Sequence, residues 1–182
     1  MGRLDIQPTG RERFFPEDEI IVSKTDLTGK ITYANRTFQE VAGYREEELL
    51  GQPHSLIRHP DMPRAVFAYL WQTIAAGEEV FAYVKNMAKS GDHYWVFAHV
   101  TPTFDPVTRA IVSYHSSRRV PSRRAVDAAA GVYALLLAEE ARHADRRAGL
   151  AASLELLKQT LEGAGMGYER FVWTLDPAVA QA

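Results

Sequence analysis

The sequence predicts an α+β fold in which a five-stranded antiparallel sheet carries short helices on one face and is followed by C-terminal α-helices. Three observations carry that expectation. Two short β-rich pieces near the N-terminus are joined by a tight turn, three longer β-rich pieces follow one apolar-striped helix, and the composition becomes alanine- and leucine-rich after Pro121. With 182 residues, 46% of them apolar, the chain is long enough to bury one core and carry an appendage.

Each element follows from its own residues. The segment to Asp18 mixes Gly, Pro and charge without a period and reads as an N-terminal arm, residues 1–18, with Phe14 and Phe15 available to dock. "EIIVSKTD", the turn "DLTG" and "KITYAN" make a hairpin, Gly29 supplying the positive φ that its turn needs. "RTFQEVAGY" and "REEELLG" are two short helices closed by Gly43 and Gly51. "PRAVFAYLWQTIAAG" is a clearer helix, with Pro63 at its start, Val66, Phe67, Leu70, Trp71 and Ile74 at helical spacing, and Gly77 at its end. "EEVFAYVKNMAKSG", "DHYWVFAHVTPTFD" and "RAIVSYHSSRRV" are three strands separated by turns at "KSGD" and at Asp105 and Pro106. These strands close a domain over residues 19–120, with a pocket expected between sheet and helices. The remainder, 121–182, is a helical extension with a break expected near Gly149, a short closing segment "MGYERFVWTL", and an ending "WTLDPAVAQA" that reads as a natural tail.

Composition excludes more than it assigns. With 21 Lys and Arg against 23 Asp and Glu, the net charge of −2 favours neither nucleic acid nor an anionic membrane. The absence of cysteine excludes disulfides, thiolate metal sites, cysteine nucleophiles and cysteinyl cofactor adducts. The first residues are too charged for a signal peptide, and no run of about 18 apolar residues follows. No nucleophile has a base at suggestive spacing, and no phosphate-binding glycine loop occurs, so an enzyme is not expected. His93 and His99 would stand roughly 20 Å apart along a strand, too far to share a metal. The arginine run "SRRVPSRR", Ser117 to Arg124, reads as a solvated linker between the last strand and the extension.

Two stretches carry a resemblance: "TDLTGKITYANRTFQEVAGYREEELLGQPHSLIRHPDMP" and "VKNMAKSGDHYWV". Together they resemble the PAS domains of bacterial aerotaxis receptors, the branch that binds FAD, over roughly Ile21 to Val120. The chain departs from the pattern with Ser90 where asparagine is usual, and with Val80 and Phe81 where relatives often have a tryptophan. The resemblance implies a PAS fold and an FAD site to which Arg58, His59 and Asp61 of "RHPDMP" contribute. It implies that Trp71 and Trp95 pack near the isoalloxazine, and that Asn86, Asn35 and His54 lie near the flavin or transmit its redox state. The residue types suit such a ligand: Trp71, Trp95, Phe67 and Val84 for an apolar slot, Asn86 for the ring edge, and the planar fork of Arg58 for a diphosphate.

The resulting expectation is a cytoplasmic redox or oxygen sensor that binds FAD and signals by conformational change. Its partner would be a signalling protein or a dimer mate held through the C-terminal helices or the N-terminal arm. No nucleic acid and no membrane insertion are expected. Two alternatives stand beside it: a cofactor-free PAS adaptor, and a haem sensor ligated by His54, His59 or His93.

Overall fold

In the computed structural model of the protein, which describes residues 6–176, the first hairpin is organised by Asp26. Its Oδ1 accepts from the Thr28 and Lys30 amides at 2.8 and 3.0 Å, and Gly29 takes a φ of 80°, so β1 (Ile21–Thr25) returns as β2 (Ile31–Ala34). Helices α1 (Arg36–Ala42) and α2 (Glu46–Leu49) and a 3-10 turn over His54–Ile57 follow, then α3 (Arg64–Ala75). Strands β3 (Val80–Met87), β4 (His93–Phe104) and β5 (Ile111–Arg119) complete an antiparallel sheet of order β2-β1-β5-β4-β3. Helices α4 (Arg123–Ala141), α5 (Arg146–Gly163) and α6 (Tyr168–Thr174) close the described chain; the end of the expected tail, from residue 177, lies outside it.

Two compact units result: residues up to His59 with Ile74–Val120, and Pro60–Thr73 with the residues after Val120. In the first unit, the face of the sheet bearing Ile21, Ile31, Val96 and Ala98 is buried with Phe38 and Leu49 of α1 and α2. The second unit buries Ala65 and Val66 of α3, Val126, Ala129 and Leu136 of α4, Leu157 of α5 and Val172 of α6.

One helix boundary falls elsewhere than the sequence predicts. The chain breaks at Arg142–Asp145, where Asp145 caps α5 by accepting from the Ala148 amide at 2.7 Å, and Gly149 sits inside α5. That glycine answers a packing need: a Cβ there would stand 2.8 Å from the Glu140 carbonyl oxygen and 3.2 Å from Arg64 Nη2.

The arm from residue 9 to 13 continues the sheet beside the start of β4. Thr9 N–H donates to Gly91 O at 2.9 Å, Arg13 N–H to His93 O at 2.7 Å, and His93 N–H to Arg11 O at 2.9 Å. Asp92 holds the same stretch through Arg11 Nε at 3.1 Å and through Thr9 Oγ1, whose hydrogen bond lowers the Asp92 carboxyl below its usual range. Phe15 is buried and Phe14 exposed. Gly91, at φ 88°, is where the arm crosses the hairpin, and an added Cβ would collide with the Gln7 carbonyl oxygen. Gly91→Ala is therefore expected to release the arm at a cost of about 1–2 kcal/mol from the left-handed backbone alone. Faster amide exchange at His93 and Arg13, with the Tyr83 and Val96 amides unchanged, would show it; unchanged exchange at Arg13 would refute it.

Candidate ligand-binding site

Alternation along β5 turns Arg118 inward and Arg119 out. Arg118 lies opposite Ile21 on β1 and Ala98 on β4, in the middle of the sheet, and is 2% exposed. This corrects the reading of its arginine run as solvated: Ser117–Arg119 are strand, and one of the run's cations is among the most buried side chains of the unit. Its Nη2 donates to Ser23 Oγ, and its guanidinium lies 4.6 Å from the centroid of the Phe38 ring. Nε and Nη1 are buried and have no hydrogen-bond acceptor. Burial pushes the guanidinium down to about 10, which still leaves it charged at neutral pH.

His54 continues this arrangement. Its Nε2 is 3.1 Å from Ser23 Oγ and its ring stacks on Phe38 at 6.1 Å. Because Ser23 Oγ accepts from Arg118, its own hydrogen is directed at His54 Nε2, which assigns the proton of the neutral imidazole to Nδ1. Burial, and then the Arg118 charge, lower His54 to about 3. The ring is held neutral.

The β3–β4 register brings two further polar groups to the same face. Asn86 pairs with Tyr94, and both share a face with Ala98, the partner of Arg118. Asn86 Nδ2 and Tyr94 OH are buried without a hydrogen-bond partner, and burial pushes the Tyr94 phenol upward. The inner face thus holds four buried donor atoms with no acceptor: Asn86 Nδ2, Tyr94 OH, Arg118 Nε and Arg118 Nη1. Such groups cost free energy when left unmade, on the order of 1–3 kcal/mol each. They suit a ligand whose edge is rich in acceptors.

Arg58 and His59 reach the same strand. Arg58 bridges Asn86 in an antiparallel pairing, His59 N–H donates to Lys85 O at 3.4 Å, and the buried His59 ring meets His93 edge-on at 5.7 Å. Asn35 is spent on the backbone: its Oδ1 accepts from the Val22 and Phe38 amides at 2.9 and 3.0 Å and its Nδ2 donates to Ile20 O at 2.7 Å. It caps α1 and ties that helix to β1, which positions Phe38.

Other sequence-predicted residues are not brought together here. Trp95 lies opposite Lys85, so alternation puts it on the face opposite Asn86 and Tyr94, beside Tyr83 and Phe97. Asp61, which is exposed, and Trp71, which is 37% exposed, belong to the second unit. Among the described residues no cluster of three or more His, Cys, Asp or Glu could hold a metal ion. The groups that sequence reasoning missed are Ser23, Tyr94 and Arg118. Only the strand period, counted across β1, β4 and β5, could have turned them inward.

Residues 31–112 match the family described as the PAS fold. Over 86 residues, 47% of this chain, the protein is 52% identical to the aerotaxis receptor of Escherichia coli strain K12; over 87 residues it is 32% identical to a nitrogen fixation regulatory protein of Klebsiella pneumoniae. The chain spans only 17% and 18% of the length of those two relatives. Among solved structures, the light-state structure of the blue-light photoreceptor Aureochrome1 LOV superposes with a TM-score of 0.56 at 20% identity, covering 61% of this chain and 88% of that one. A light-oxygen-voltage domain studied with a flavin analogue superposes with a TM-score of 0.52 at 22% identity, covering 68% and 87%. Both likenesses concern the fold. Residues 31–112 are a PAS domain, similar in sequence to part of an aerotaxis receptor.

Proposed function

We propose that this PAS domain binds FAD and serves as a redox or oxygen sensor. The observation that carries the reading is the set of four unsatisfied buried donors on the inner face of the sheet. The pyrimidine edge of a flavin presents carbonyl and ring-nitrogen acceptors, so the donor set present here fits it. The identity to an aerotaxis receptor supports the same reading, as does a fold shared with a domain studied with a flavin analogue.

In this reading Asn86 and His54 lie toward the ring, and Asn35 fixes the helix that carries Phe38. Arg58 and His59 serve the polar half of the dinucleotide, Arg58 by charge-assisted bonds to phosphate oxygen. Asp61, Trp71 and Trp95 remain proposed contributors on the resemblance alone. Bound flavin would supply reversible electron uptake, and the proposal assigns the chain no catalytic step. The proposed organisation is an arm over residues 1–18, a sensor over 19–120 and an output extension over 121–182. We place its work in the cytoplasm, with output to a dimer mate or a signalling partner. Among the described residues no helix is long and apolar enough to cross a membrane.

The test is the absorbance spectrum of the purified protein, followed by heat release of the chromophore and its identification by mass. FAD is the expected product, and a colourless protein that also refuses added FAD refutes the reading. Arg58→Ala and His59→Ala are expected to weaken flavin binding roughly ten- to a hundredfold, the worth of a lost charge-assisted bond, with circular dichroism unchanged. Full occupancy in both variants would remove these residues from the site.

A further inference from the structure

We infer that Arg118 contacts the bound ligand directly and that its charge favours the ligand's reduced state. The inference rests on the flavin reading and goes beyond it to an atom-level role for a residue outside the matched segment of residues 31–112.

Three observations lead there. Arg118 is 2% exposed, in the middle strand of the sheet, so its position is set by β-pairing on both sides. Only Nη2 is satisfied, by a neutral serine, while Nε and Nη1, two donors of one planar fork, are buried and unanswered. No carboxylate among the described residues shifts or pairs with it; burial and Tyr94 are the influences on its charge. A buried cation whose partner is removed is costly, and natural interiors answer such groups. Here the free donors of Arg118 share the inner face with those of Asn86 and Tyr94, so one acceptor-rich edge can answer all of them.

The charge gives this contact a direction. Reduction by two electrons from an electrode, with one proton taken from solvent, would add one net negative charge to a bound flavin. A fixed cation in a site of low dielectric binds that form more tightly than the neutral oxidised ring. Linkage then raises the midpoint potential by the ratio of the two affinities. Arg118 is held for this role by Ser23 and by the Phe38 face, both within the same unit.

The test uses the full chain with FAD bound. Arg118→Gln is expected to shift the relative affinity for reduced over oxidised flavin by about tenfold or more, a midpoint lowered by about 30 mV for a two-electron couple. Arg118→Lys keeps the charge and is expected to lie nearer the wild type. Because a core variant can fail to fold, the wild-type protein labelled with 15N-arginine supplies a second readout. The buried Arg118 Nε resonance is expected to move when FAD is added to the apoprotein. A wild-type potential in Arg118→Gln, or an Arg118 resonance indifferent to FAD, overturns the inference and leaves the flavin reading standing. A wild-type chain that binds no flavin overturns both.

Discussion

Replacing Glu140 with alanine is expected to destabilise the helical unit by about 3 kcal/mol, the lower end of the cost of breaking a buried ion pair. Glu140 is 7% exposed on α4 and serves α3 with both oxygens: Oε2 accepts from Arg64 Nε at 2.6 Å, and Oε1 accepts from the Ala65 amide at 3.1 Å. The second bond satisfies one of the amides that the first turn of a helix leaves open, at the end where a negative charge is favoured. Arg64 in turn donates from Nη1 to Arg146 O at 2.9 Å, and Gly149 leaves room for its guanidinium. Glu140 therefore ties α4 to α3, distant in sequence, and Arg64 extends the joint to α5. Alanine would leave Arg64 partly buried without its anion and the Ala65 amide without an acceptor. Glu140→Gln keeps an acceptor and loses the charge, so its cost should be about 1–2 kcal/mol. Urea unfolding followed at 222 nm reports the helices; a midpoint for Glu140→Ala indistinguishable from wild type would show that the joint carries no stability.

That joint shows where sequence reading stops. Glycines at turns and helix ends, Asn35 at a helix start and the apolar periods are local signals, and the structure answers them with a left-handed Gly43, a capped α1 and five strands in antiparallel order. Which of two adjacent arginines faces the core is not local. Arg118 and Arg119 have the same chemistry, and only pairing to Ile21 and Ala98 fixes the inward one. Glu140, in "LAEEARHADRR", looks like solvated helix surface until α3 arrives from 75 residues away. Gly149 has the composition of a break and the function of a gap. The resemblance treats "RHPDMP" as one contributor to the FAD site, and the structure divides it: Arg58 and His59 run beside β3, while Pro60 onward belongs with the helices. For Trp95, residue type suggested a wall of the ligand site, but the pleat sets its face, opposite Asn86.

Acid is expected to weaken the protein through His54. Its folded-state value of about 3 lies below the ordinary 6.5, because burial and then the Arg118 charge oppose protonation. Above pH 6.5 the ring is neutral in both folded and unfolded chains, so the group leaves stability unchanged there. Below it the unfolded chain binds a proton that the folded chain refuses, and stability falls as pH falls, down to about pH 3. Between pH 6 and pH 4.5 the loss integrates to about 2 kcal/mol. His115, also lowered chiefly by burial, acts in the same direction, so the comparison must be with His54→Gln, which removes only the one titration and keeps a polar partner for Ser23. The variant's stability should fall by about 2 kcal/mol less than that of the wild type over this range; parallel pH profiles would mean that the ring is solvated enough to take its proton. The physical reason ties stability to the proposed site. A protonated His54 would place a second cation against the Ser23 and Phe38 contacts that hold Arg118, where no carboxylate among the described residues shares the field. Neutrality of one ring is thus the condition under which the Arg118 charge is kept for a ligand.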